Sequence, residues 1–201
     1  MSIPWMMGIA ALIYLILQDM TSLYGNTNKW IESQVALDNI AIETAKEDRS
    51  ILEFLRSKNQ TLMEMETAHH PNHDCSGIPV PYLQEACEVA DELAEAEIRF
   101  FVNEARIEAQ TRWTVNGFRA QSILLHIDPR LKTSRPLTLP VDLQACWCGL
   151  DNRFYLLDGV IRYQMKGEIL IGREIKIGVR LLGDSLSQVE KWDYILETGD
   201  R

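Results

Sequence analysis

Residues 35–62 read VALDNIAIETAKEDRSILEFLRSKNQTL, and the spacing of their apolar side chains decides the fold. Leu37, Ala41, Ala45, Leu52, Leu55 and Leu62 recur at intervals of three, four or seven. That spacing places them on one stripe of an α-helix. Glu43, Lys46, Glu47, Arg49, Glu53 and Arg56 fill the remaining surface, and neither Pro nor Gly interrupts the run. The pattern extends from about Thr27 to Glu66. It predicts a long amphipathic helix with one face on a core and the other in solvent.

Upstream the character changes. Ile3 to Leu17 reads IPWMMGIAALIYLIL, broken only by Pro4 and Gly8, and Asp19 is the first charged residue. A helix needs about 20 apolar residues to cross a bilayer core, and this run just reaches a useful length. Trp5 at one end and Tyr14 or Tyr24 at the other suit an interface. Pro4 falls in the first helical turn, where its missing N–H costs little. A cleaved signal peptide would want a basic start and a small-residue cleavage pattern. No Lys or Arg precedes the run, and residues 18–25 (QDMTSLYG) offer no such pattern. A buried core helix is the other alternative. The expectation is an uncleaved membrane anchor over residues 1–25, with Gly25 and Asn26 leaving open whether the helix continues or hinges.

Downstream, HHPNHDCSGIPVP (His69 to Pro81) is a loop by its prolines and glycine. Pro81 then opens a second helix, expected over Tyr82–Trp113, with apolar positions at Leu83, Ala86, Ala90, Leu93, Ala94, Ile98, Phe101, Val102 and Ala105. Two long helices joined by a stiff loop suggest an antiparallel hairpin. From Thr114 a period of two is expected: Ile123, Leu125 and Ile127, then Val141, Leu143, Ala145 and Trp147, then Tyr155, Leu157, Ile161, Tyr163 and Met165. Ile169, Ile171, Ile175, Ile177, Val179 and Leu181 close the series, with Lys166-Gly167 as the hairpin turn. The fold class expected is α+β: an N-terminal membrane helix, a long helical hairpin over residues 26–113, and an antiparallel sheet of about four strands over residues 114–201.

The 201 residues (23.1 kDa) are 46% hydrophobic and 24% charged, which excludes wholesale disorder. Net charge −9 without a basic arm argues against nucleic acid as a partner. Four cysteines, Cys75, Cys87, Cys146 and Cys148, form an even set behind an apolar segment and suggest two disulfides in an oxidising compartment. A bridge between Cys146 and Cys148, two apart on one strand, would be strained, so both are expected to reach back to Cys75 and Cys87. His69, His70 and His73 beside Cys75 have ligand chemistry for zinc or copper, but no standard ligand spacing, and an exposed polar loop without metal is expected. No nucleophile elbow, phosphate-binding glycine loop or dinucleotide fingerprint is present. Asp142 and His126 are read as structural. Neither catalysis, a cofactor nor a small-molecule substrate is expected.

The order of apolar helix, polar helix, second helix and sheet resembles the pilin-like and pseudopilin proteins. Val35–Leu62, with Asp38 among Ala36, Ala41 and Ala45, is similar to the TadE/TadG-like proteins of tight-adherence pili, a resemblance covering about residues 3–62. Pilin precursors carry a basic leader and a Glu at the fifth mature position, where this chain has Trp5. The resemblance implies a bacterial inner-membrane anchor, an extracytoplasmic domain, and co-assembly with other anchored subunits in a pilus or secretion filament. Gly8, Ala10 and Ala11 would form the close-packing face of the anchor. The competing readings are a single-span envelope scaffold and a membrane-tethered metal or redox protein using the histidine loop or the Cys146/Cys148 pair.

Overall fold

The computed structural model describes residues 3–69, 75, 78–144, 153–157, 160–169, 173–182 and 193–198. One helix, α1 (Ile3–His69), runs through 67 residues, passing Gly25 and Asn26 without a break. Leu37, Ala41, Ala45, Leu52, Leu55 and Leu62 are all fully buried along it, as their spacing requires. The second helix, α2 (Pro81–Ile127), carries Pro81 in its first turn and is capped by Asp128, whose N–H donates to the Leu124 carbonyl. The helices run antiparallel: Lys58 lies over the Phe101 ring, while further back along α1 Thr44 and Asp48 meet Asn116.

The helix α2 is longer than the period-two reading allowed. Thr114–Ile127 is helical, because the positions that face α1 are Trp113, Asn116, Ala120 and Leu124, spaced three or four apart. The alternation of Ile123, Leu125 and Ile127 mixes two helix faces: Leu125 is exposed, and Ile123 and Ile127 are half-buried against the core. His126 therefore sits on the last helical turn, not on a strand.

One sheet runs in the spatial order Lys132–Thr133, Val160–Ile169, Arg173–Leu182, Asp193–Thr198. Its full strands are β4 (Val160–Ile169), β5 (Arg173–Leu182) and β6 (Asp193–Thr198), and β1 (Lys132–Thr133) adds two residues at the edge. All pairs are antiparallel, with Tyr163 opposite Val179 and Met165 opposite Ile177. Inward-pointing Ile161, Tyr163, Met165, Ile175, Ile177, Val179 and Leu181 are buried in the core, which β5 and β6 share with α1. The outer face sets like charges across from one another: Lys132 opposite Lys166, Lys166 opposite Lys176, and Arg162 opposite Arg180.

The strands do not form one meander. The pair β2 (Val141–Gln144) and β3 (Arg153–Leu156) makes a separate two-stranded sheet. The expected turn at Lys166-Gly167 is also displaced, since both residues lie inside β4, opposite Lys176 and Ile175. Glycine is required there for another reason. A Cβ on Gly167 would stand 2.8 Å from the Arg130 carbonyl oxygen and 2.7 Å from Leu131 Cδ2, because the turn after α2 presses on the strand.

Candidate functional site

At the centre of the molecule a carboxylate occupies a core position. Asp48 falls between Ala45 and Leu52 on the buried stripe of α1 and has no exposed surface. Its partner is Arg135, from the extended segment after β1, whose side chain is 2% exposed. Arg135 Nε donates to Asp48 Oδ2 at 3.0 Å and Nη2 to Oδ1 at 2.6 Å, a bidentate pair. Tyr163 of β4 donates its hydroxyl to Oδ2 at 2.9 Å, and Asn116 of α2 donates to Oδ1 at 2.8 Å. The guanidinium stacks on the Trp113 ring at 3.6 Å, and the Trp113 indole N–H donates to the Pro136 carbonyl.

Each carboxylate oxygen thus accepts two hydrogen bonds, with donors on α2, on β4 and on the segment after β1 converging on the α1 carboxylate. Burial, and then the neighbouring Asp48 carboxylate, push the Tyr163 hydroxyl well above the usual tyrosine range. It remains a neutral donor at physiological pH. The geometry is that of a clamp: the charges are spent on one another, away from solvent.

Amide side chains extend the clamp to the irregular segments. Asn59 donates to the Phe154 carbonyl at 3.0 Å and accepts from the Phe154 N–H at 2.9 Å, holding β3 against α1. Gln110 does the same for the stretch after β1, donating to the Leu137 carbonyl and accepting from the Leu139 N–H. Gln121 accepts from the Thr133 N–H. Beyond Ser134 the chain leaves the sheet and follows α2, with the Leu137 carbonyl and the Leu139 N–H satisfied by Gln110.

Two apolar surfaces are left uncovered. On α1 the large side chains from Ile9 to Tyr24 are between 50% and 71% exposed all round the helix, and none belongs to the core. A core helix is therefore not what this segment is. Ala10 and Ala11 are exposed there too. Among the described residues no helix is long and apolar enough to cross a membrane; the side chains of residues 3–8, Gly8 included, lie outside the described ones. The second surface is the outer face of α2, opposite its buried one, where Phe100 is 70% and Phe118 66% exposed.

The cysteine expectation is corrected. Cys75 and Cys87 are bonded to each other, 12 residues apart in sequence, and tie the start of α2 to the interhelical loop. Cys75 and Cys87 are therefore not available to Cys146 and Cys148, which lie outside the described residues. The local pairing closes the shorter loop, Cys75 lying only 12 residues before Cys87. His69 ends α1, while His70 and His73 lie outside the described residues. Among the described residues no group of His, Cys, Asp and Glu is placed to hold a metal ion. Asp142 is exposed on β2, and His126 is exposed at the end of α2.

An open groove of about 240 Å³ between the helices is lined by Glu43, Glu47, Asn116 and Arg119. It is crossed by a long Arg119–Glu43 contact at 4.0 Å. Comparison with protein-family models, with curated proteins and with solved structures gives no match for this chain.

Proposed function

We propose that this protein is a membrane-anchored structural subunit of pilin-like layout, non-catalytic, assembling with other anchored subunits of a bacterial pilus or secretion filament. The observation that carries the reading is the first third of α1. From Ile9 to Leu17 it is helical and apolar on every side, Met20, Leu23 and Tyr24 continue the exposed apolar surface past Asp19, and none of these belongs to the core of the described residues. Burying one large apolar side chain is worth about 1.5–3 kcal/mol, so a helix of this kind requires lipid or other helices around it. Its continuity with the buried face at Leu37–Leu62 joins anchor and domain in a single element. The Cys75–Cys87 disulfide supports an oxidising, extracytoplasmic location for the domain.

The test is fractionation of cells expressing the full chain, with alkaline washing of the membranes and thiol mapping. The reading expects the chain in washed membranes with Cys75 and Cys87 oxidised. Recovery in the soluble fraction with both thiols free overturns it. Within a membrane-bound protein, a charge at Ala11 should abolish co-assembly, since close helix packing tolerates no buried charge there.

A further inference from the structure

The outer face of α2 carries a periodic stripe of its own. Val89, Leu93, Phe100, Ile107, Phe118 and Leu125 are 49% to 70% exposed along it, opposite the buried Val102, Ala109 and Ala120. Steps of four and three alternate from Tyr82, through Ala86 and Ala96, to Ile107, and steps of three and four resume from Thr111 to Leu125. A single further step of four, Ile107 to Thr111, joins the two runs. The mean spacing is then about 3.6 residues, so a straight helix keeps the whole stripe on one side. Alternating steps of this kind make the seam of a helix pair.

The composition of the stripe points to what it pairs with. The helix carries eight carboxylates and four arginines, and none of them falls on the stripe. From Tyr82 to Ile107 its one polar position is Asn103, which is exposed. An amide side chain both donates and accepts, so two copies of Asn103 facing each other satisfy one another. A lone Asn inside an apolar seam fixes register.

We infer that this face pairs with the same face of a second copy, parallel and in register, as a two-fold coiled coil of α2 helices. Like residues then form its layers: Phe100 on Phe100, Asn103 on Asn103 and Phe118 on Phe118. The stripe is about 65 Å long and ~10 Å wide, and a two-fold contact uses all of it on both copies. That is roughly 650 Å² per copy and ~1,300 Å² in total, within the ~1,200–2,000 Å² of specific, stable interfaces. Across a parallel seam, flanking residues five apart meet. Arg99 therefore faces Glu104 of the other copy, twice over by symmetry, and Glu92 faces Glu97 equally often. Glu88, Asp91 and Glu95 lie on the far side of the helix, away from the contact.

In register, both α1 helices leave the pair at one height and in one direction, as a single bilayer requires. An antiparallel pair would send them opposite ways, and a stagger would lift one of them out of the lipid. Since α1 packs on α2 opposite the seam, the helices stand in a row, α1-α2-α2-α1. At about 8–10 Å between neighbouring axes, the two apolar segments enter lipid ~24–30 Å apart, each free to pack on other subunits. The inference rests on the anchored reading and gives its unit of assembly, a dimer.

The experiment uses the full chain in membranes at low expression, with a benzophenone amino acid replacing Phe118. After irradiation the covalent two-chain species is isolated and digested with trypsin. The adduct should fall on Trp113–Arg119 or Ala120–Arg130 of the second chain. An adduct on any other peptide, such as Asn59–Arg99 in an antiparallel pair, overturns the arrangement. Absence of a two-chain species from a membrane-bound protein overturns the pair and leaves the anchor standing. The expected adduct in a protein recovered as soluble upholds the pair and overturns the anchor. Arg99→Glu should lower the yield about fivefold, because two attractions become repulsions, and Glu104→Arg in the same chain should restore it. A yield unmoved by the first change, or not restored by the second, overturns the register.

Discussion

Exchanging Asp48 for Asn keeps the size and shape of a fully buried side chain and removes only its charge and half of its acceptors. Oδ1 now accepts from Asn116 and Arg135, and Oδ2 from Arg135 and Tyr163. In the variant, whichever site holds the amide nitrogen faces two donors, and the Arg135 guanidinium has no buried counter-charge. Removing one partner of such a pair costs about 3–5 kcal/mol, because the other charge stays buried and uncompensated. That is a large share of the ~5–15 kcal/mol that holds an ordinary domain together. For a chain of this length it lowers Tm by roughly 6–20 °C. Urea unfolding followed by far-UV circular dichroism, with the full chain in detergent, measures the loss. The paired change Asp48→Leu with Arg135→Met should recover most of it, since apolar replacement of a whole buried pair is often neutral. A D48N variant within about 1 kcal/mol of the parent would refute the clamp, being what a surface ion pair gives. A double variant as unstable as the two single losses added would do the same.

Three further outcomes follow from the same geometry. The folded-state pKa of Tyr163 lies above its unfolded value, so its contribution is complete below about pH 10 and is lost as pH rises further. Absorbance titration at 295 nm should show one tyrosine of the six ionising only as the chain unfolds, and Tyr163→Phe should remove that step. Gly117→Ala would ordinarily stabilise a helix by about 1 kcal/mol. Here the new methyl would stand 2.5 Å from Arg135 Nη1, which is held between Asp48 and Trp113, so Tm should fall; a rise would show that Arg135 can move aside. Lys166→Glu converts two like-charge cross-strand contacts, with Lys132 and Lys176, into attractive ones. A gain of about 1 kcal/mol in urea unfolding is expected, and no change would mean that solvent screens the row completely.

Periodicity read the large side chains well where one face met one core. The stripe from Leu37 to Leu62 and the inward rows of β4 and β5 are the residues that patterning nominates. It failed where the core side of an element is small or polar. The inner face of α2 past Trp113 is Asn116, Ala120 and Leu124, a weak signal beside the alternating isoleucines and leucine that straddle two faces. The clamp was hidden for a different reason: Asp48 and Arg135 are 87 residues apart, and no local spacing joins them. One clue was present, since Asp48 falls on the apolar stripe of α1 rather than on its charged side. Gly167 reads as a turn residue in the sequence, whereas its role in the fold is to admit the backbone of Arg130 and Leu131.

The unbroken course of α1 through Gly25 makes the domain a lever. Tyr24 and Asp48 are 24 residues apart on one helix, about 36 Å at 1.5 Å per residue. If the segment before Tyr24 takes the ~20° inclination common for helices in lipid, a rigid helix carries the Asp48 clamp sideways by about 12 Å. Small changes in how the apolar end is seated are therefore converted into large displacements of the sheet and of the outer face of α2. Lipid thickness and neighbouring helices would set the pose of the whole domain, and a Gly-Pro insertion at Gly25 would uncouple it.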